Sequence, residues 1–141
     1  MGTMDDKSTG ERKPGIGLKG PGELCAAAKH STDGFVAVLR GEKAFRTDLA
    51  VFIACVCVVA VIPGLTVCER AVMIYVVFFP LVAELVNTAI EKTIDRISPD
   101  YHRLSGLAKD IGSAVVSAAF VGAGICWAVI LVGWAFRVFW K

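Results

Sequence analysis

LAVFIACVCVVAVIPGLTVC, residues 49–68, runs for twenty residues without a charged side chain. A helix of that length crosses a hydrocarbon layer about 30 Å thick. Residues 111–136 repeat the pattern over twenty-six residues, and between the two stretches residues 71–90 carry one charge, Glu84. With 141 residues, 55% of them hydrophobic, and a mean hydropathy of +0.63, the chain reads as one domain too apolar for an ordinary water-soluble protein of its size. The fold predicted is an all-α membrane protein with three transmembrane helices at about 49–68, 71–97 and 106–136. An N-terminal amphipathic surface helix at 23–48 precedes them, together with a cytoplasmic tail over 1–22.

The tail carries Gly at 2, 10, 15, 17, 20 and 22 and two prolines, and is expected to be disordered. It has no apolar core, so no cleavable signal peptide is expected. Eight Lys and Arg residues precede the first span and four lie between Ile90 and Ile111, against Arg70, Arg137 and Lys141 on the other side. The positive-inside rule therefore places the N-terminus and the second loop in the cytoplasm. GIGLKG at 15–20 matches a dinucleotide fingerprint in letters only, because no strand precedes it and Pro21-Gly22 follows it. No Walker ending is present. The five cysteines lack metal-ligand spacing, and nothing in the charge pattern suggests nucleic acid.

In the 23–48 segment, with STDG at 31–34 as a candidate break, steps of 100° place Phe35, Val38, Leu39, Phe45 and Leu49 on one stripe. Glu42 and Arg46 fall on the same stripe. At i and i+4 they could pair with each other, and otherwise they need partners elsewhere. Pro80, one turn before Glu84, frees a carbonyl and permits a kink. Ala114, Ala118 and Gly122 form a ridge of small residues suited to close helix approach. Trp134, Phe136, Phe139 and Trp140, with Arg137 and Lys141, suit an interfacial anchor.

The chemistry concentrates in ELVNTAIEKTID, residues 84–95. Glu84, Asn87, Glu91 and Asp95 fall within about 80° of one another on a helical wheel. A Glu inside a span costs several kcal/mol and normally faces a protein interior. A purely structural reading is an interhelical clamp. Glu42 and the Lys109-Asp110 pair, however, are expected at the same membrane depth, which is more polarity than a clamp needs. Carboxylates beside Lys109 at the water boundary suit a Mg²⁺-nucleotide, because Mg²⁺ takes one or two carboxylates with phosphate oxygens and water. A buried Glu suits proton removal from a hydroxyl, and the alcohols found at membrane depth are lipids. Two other classes stay open on the residues alone: an oligomeric proton or cation conduit using Glu84 as its relay, and a noncatalytic membrane subunit.

AAAKHSTDGFVAVLRGEKAFRTDLA (26–50) and AELVNTAIEKTIDRISPDYHRLSGLAKDIGSAVV (83–116), with three spans, resemble the bacterial integral-membrane diacylglycerol kinases, a family shared with undecaprenol kinases. The resemblance covers about residues 24–135. It implies a homotrimer in the bacterial inner membrane that transfers the ATP γ-phosphate to a lipid hydroxyl with Mg²⁺. By motif match it implies Glu84 as general base, Glu42 and Glu91 as metal ligands, and Asn87, Asp95, Lys109 and Asp110 as the rest of the polar site. Ser31, Asp100, Tyr101 and His102 would lie near nucleotide, and Arg46, Asp48 and Ser113 near the lipid. Three positions depart from the usual pattern: Glu23 in place of a basic residue, His30 in place of Tyr, and Asp48 in place of a longer Glu. LSGLAKDIGSA looks like the diacylglycerol branch, whereas SPDYH also occurs in the undecaprenol branch, which remains the alternative.

Overall fold

In a computed structural model the described residues are 20–98 and 100–140; most of the expected tail, Pro99 and Lys141 fall outside them. They form four α-helices: α1 (Pro21–Gly41), α2 (Lys43–Val61), α3 (Val67–Ile97) and α4 (Arg103–Phe139). Residues up to Asp33 and residues from Gly34 onward are separate units, each described on its own. In the first unit the helix runs unbroken through STDG, and the hydroxyls of Ser31 and Thr32 donate to the carbonyls of Ala27 and Ala28.

The break comes instead at Glu42, whose extended backbone separates α1 from α2. The helix that carries the first apolar run therefore starts at Lys43. The guanidinium of Arg46 turns back and donates to the Arg40 carbonyl at 3.0 Å, covering carbonyls at the end of α1 that have no helical partner. Phe35 and Phe45 meet edge to face across the same corner, with ring centroids 5.4 Å apart.

The first span also ends earlier than its hydropathy suggests. IPGLT at 62–66 contains no charge, yet it is a turn: α2 stops at Val61, and Gly64 adopts φ +76°, a conformation that favours glycine. Thr66 then caps α3 in a capping box with Glu69. Arg70 reaches back to the α2 terminus, donating to the Ile62 carbonyl at 2.6 Å and to that of Val59. Arg137 pairs with Glu69 at 2.5 Å, and the Trp134 indole donates to the Pro63 carbonyl at 2.8 Å. Val59, Leu65 and Met73 form the buried core at this end of the bundle, flanked by Trp127 and Trp134.

α3 is the central helix, packed against both α2 and α4. All three long helices are apolar enough to cross a membrane. Large side chains such as Val121, Ile125 and Val129 remain exposed on α4, as expected for surfaces facing lipid or other helices in a bilayer. At 1.5 Å per residue, the 31 residues of α3 extend about 46 Å, well beyond a hydrocarbon core of about 30 Å. The C-terminal turns of α3 and the N-terminal turns of α4 therefore have length to project past the apolar layer.

Candidate active site

Of the polar stripe on α3, Glu84 and Asn87 face inward, Glu91 is half-buried and Asp95 is exposed. Glu84 and Asn87 are each 7% exposed, and Thr88, which the sequence reading did not single out, is buried beside them. The charges of Asp48 on α2, of Glu91 about two turns further along α3, and of Glu42 at the α1–α2 break all act on Glu84. Four carboxylates from three segments thus converge at one end of the bundle. Pro80 is buried one turn below Glu84.

Asn87 holds this arrangement in register. Its amide nitrogen donates to Glu91 Oε1 at 3.1 Å. Its amide oxygen is buried without a partner and lies against α4 at Gly112, where any Cβ would collide with it. Gly112 is therefore the position at which α4 admits the Asn87 side chain. The small-residue ridge read from the sequence lies elsewhere: Ala114, Ala118 and Gly122 are exposed, and a Cβ built on Gly122 meets nothing within 4 Å.

Glu42 and Arg46 do not pair with each other. Arg46 is engaged at the α1 terminus, while Glu42 makes no cap bond to its own helix and reaches Lys92 on α3, with Oε1 2.6 Å from the ammonium. Lys92 also lies in the fields of Asp95 and Glu91. It is a site residue that the carboxylate stripe alone did not reveal.

A polar depression lies where α3 meets α4. It measures about 330 Å³ and is lined by Asp95, Asp100, Tyr101, His102, Lys109 and Asp110. Asp95 joins it to the carboxylate cluster, because it lies near Lys92 on one side and accepts from Lys109 Nζ at 2.5 Å on the other. His102 caps α4 by accepting the Leu104 N–H at its Nδ1, and the Tyr101 ring lies 3.6 Å from where a Gly106 Cβ would stand. A separate cavity of about 220 Å³ opens beside Asp48, with Phe52, Cys55, Pro80, Ala123 and Trp127 in its walls. The Trp127 indole is fixed by donation to the Met73 carbonyl at 3.0 Å. Ser113 is exposed on α4, one residue beyond Gly112. Ser31 belongs to the other unit.

The donor set suits Mg²⁺. Among the described residues no three His, Cys, Asp or Glu side chains are grouped as a complete metal cage. Glu42 and Glu91 are nevertheless two oxygen donors, the first 2.6 Å from the Lys92 ammonium and the second acting on that ammonium by its charge. Mg²⁺ commonly takes that few protein ligands when a nucleotide supplies the others.

Fold and site define a class: an α-helical membrane protein with three helices long enough to span and a cluster of carboxylates at one end of its bundle. A model of the family described as prokaryotic diacylglycerol kinase matches residues 29–131. The chain is 41% identical over 120 residues to a Pseudomonas aeruginosa protein named diacylglycerol kinase, covering 85% of this chain and 97% of that one. It is 41% identical over 113 residues to the Escherichia coli K12 protein of the same name, covering 77% and 88%. A Sinorhizobium protein of that name is 34% identical over 136 residues, covering 92% and 96%. The chain belongs to the prokaryotic diacylglycerol kinase family and is a lipid kinase.

Proposed function

We propose that this chain transfers the γ-phosphoryl group of ATP to the hydroxyl of diacylglycerol, giving phosphatidic acid and ADP. The reaction takes place at the cytoplasmic face of the bacterial inner membrane, in a Mg²⁺-dependent homotrimer with its N-terminus in the cytoplasm. The observation that carries this reading is the position of Glu84. It is a buried carboxylate on which the charges of Asp48, Glu91 and Glu42 all act.

In this reading the lipid hydroxyl enters beside Asp48, with Arg46 and Ser113 near the headgroup, and Glu84 takes its proton as the oxygen attacks the γ-phosphorus. The bond from that phosphorus to the bridging oxygen breaks, and ADP carries the released electron pair. Lys109 leaves Asp95 to neutralise the charge on the transferring group, which is the main task of a protein in phosphoryl transfer. Asn87 orients Glu91, while Asp100, Tyr101, His102 and Asp110 hold the nucleotide. Glu42 and Glu91 would hold Mg²⁺, which would supply positive charge to offset that of the phosphate groups.

The names of the relatives favour diacylglycerol over undecaprenol as acceptor. The test is purified protein in lipid micelles with radiolabelled ATP and Mg²⁺, offered each lipid separately. Label in diacylglycerol supports the reading, label in undecaprenol alone transfers it to the other branch, and label in neither rejects it.

A further inference from the structure

Glu42 is expected to bind metal, yet its carboxylate is already engaged. Lys92 Nζ stands 2.6 Å from Glu42 Oε1, and the charges of Glu91 and Asp95 act on the same ammonium. The contact joins two segments, because Glu42 sits in the non-helical step between α1 and α2 and Lys92 lies on α3. Glu42 is free to make it because it does not cap its own helix.

The two partners differ in exposure. The Glu42 side chain is 27% exposed, while that of Lys92 is 70% exposed. The ammonium can therefore leave into water with little rearrangement. A lysine head is a compact, strongly hydrated charge on a flexible stem, and an exposed ion pair of this kind is weak. It is nevertheless a cation where a cation is required, and two cations cannot share one carboxylate oxygen without repulsion.

We propose that Lys92 is the resident counter-ion of the metal position. It neutralises Glu42 and Glu91 while the site is empty, competes with Mg²⁺ for Glu42, and so sets the metal concentration at which the site fills. Lys92 acts through Glu42 and is a positioning residue rather than a catalytic one. The inference rests on the metal assignment of Glu42 and Glu91 made above.

The test is direct metal binding by the full chain in lipid micelles without nucleotide, using Mn²⁺ as a paramagnetic probe of the Mg²⁺ position. Lys92→Met keeps the alkyl stem and helix propensity but removes the charge. Losing a competing surface ion pair should tighten Mn²⁺ binding about three- to fivefold, whereas Lys92→Arg should stay within about twofold of the parent. The Mg²⁺ concentration for half-maximal turnover should fall in Lys92→Met by a similar factor, with a smaller change in kcat. Adding Glu42→Gln should abolish the gain. Equal or weaker Mn²⁺ binding in Lys92→Met would overturn the proposal and leave Lys92 as a strut between segments. If the parent and Glu91→Gln bind Mn²⁺ equally, the metal assignment itself fails and this proposal fails with it.

Discussion

The Asn87 amide lies across Gly112, so that the closest approach of α3 and α4 at the polar end depends on a missing side chain on one helix and a short polar one on the other. Asn87 also holds Glu91 by a 3.1 Å hydrogen bond. A single packing contact thus fixes the orientation of a proposed metal ligand.

Gly112→Ala should push Asn87 off Glu91 and destabilise the protein by about 1–3 kcal/mol, as overpacking does. Thermal unfolding in micelles would measure the loss. Asn87→Ala in the same chain should recover part of that stability, because the colliding amide is gone, but should not recover activity.

The Asp95–Lys109 pair predicts a different pattern. Lys109→Met should lower kcat by about a hundredfold or more, in line with the loss of a preorganised charge on the transferring group, with a smaller effect on nucleotide affinity. Asp95→Asn releases Lys109 without removing it and should be milder. Steady-state kinetics with ATP varied at saturating lipid separates the two, and equal losses would show that Lys109 acts only as the partner of Asp95.

At the other end of the bundle, Arg70→Met leaves the α2 terminal carbonyls uncovered. It should reduce stability by about 1–3 kcal/mol while kcat per folded molecule changes little, because none of the proposed site residues is near it. A fall in kcat at full occupancy of the folded state would show that the two ends are coupled.

The ridge of Ala114, Ala118 and Gly122 is exposed among the described residues, and the proposed homotrimer supplies a partner for it. Gly122→Leu should then weaken association, and chemical cross-linking in detergent should show the trimer band replaced by smaller species. An unchanged ladder would place the subunit contact on another face.

What was legible in the sequence followed from strong, long-range physical signals. Three apolar runs and a carboxylate stripe with helical spacing specify three spans and an inward polar face, and α3 presents Glu84 and Asn87 as that spacing implies. Local signals were overridden by the hydropathy average. IPGLT looks like part of a span because it carries no charge, but Pro63, a left-handed Gly64 and the Thr66 cap make it the turn. The i, i+4 rule suggested Glu42 with Arg46, but a backbone break at Glu42 removes the helix on which that rule depends, and tertiary partners took both side chains. Lys92 and Gly112 could be recognised only once α3 lay against its neighbours. Lys92 reads as a solvated lysine and Gly112 as a weak point in a helix until Glu42 and Asn87 appear opposite them.

Glu91→Gln should weaken the nucleotide complex itself, raising the Mg²⁺ and ATP concentrations needed for half-maximal turnover, because a neutral amide replaces one of two proposed metal ligands. Isothermal titration with a non-hydrolysable ATP analogue and Mg²⁺ would measure it. Binding as tight as in the parent would remove Glu91 from the metal site.

Glu84→Gln bears most directly on the central claim that a buried carboxylate activates the lipid hydroxyl. Single-turnover transfer from radiolabelled Mg-ATP to diacylglycerol, measured beside equilibrium binding of the same nucleotide, should show the rate reduced by about 10²–10⁴-fold, the range of a lost general base, with nucleotide affinity within about threefold of the parent. Transfer at the parental rate, or loss of nucleotide binding equal to the loss of rate, would contradict the account.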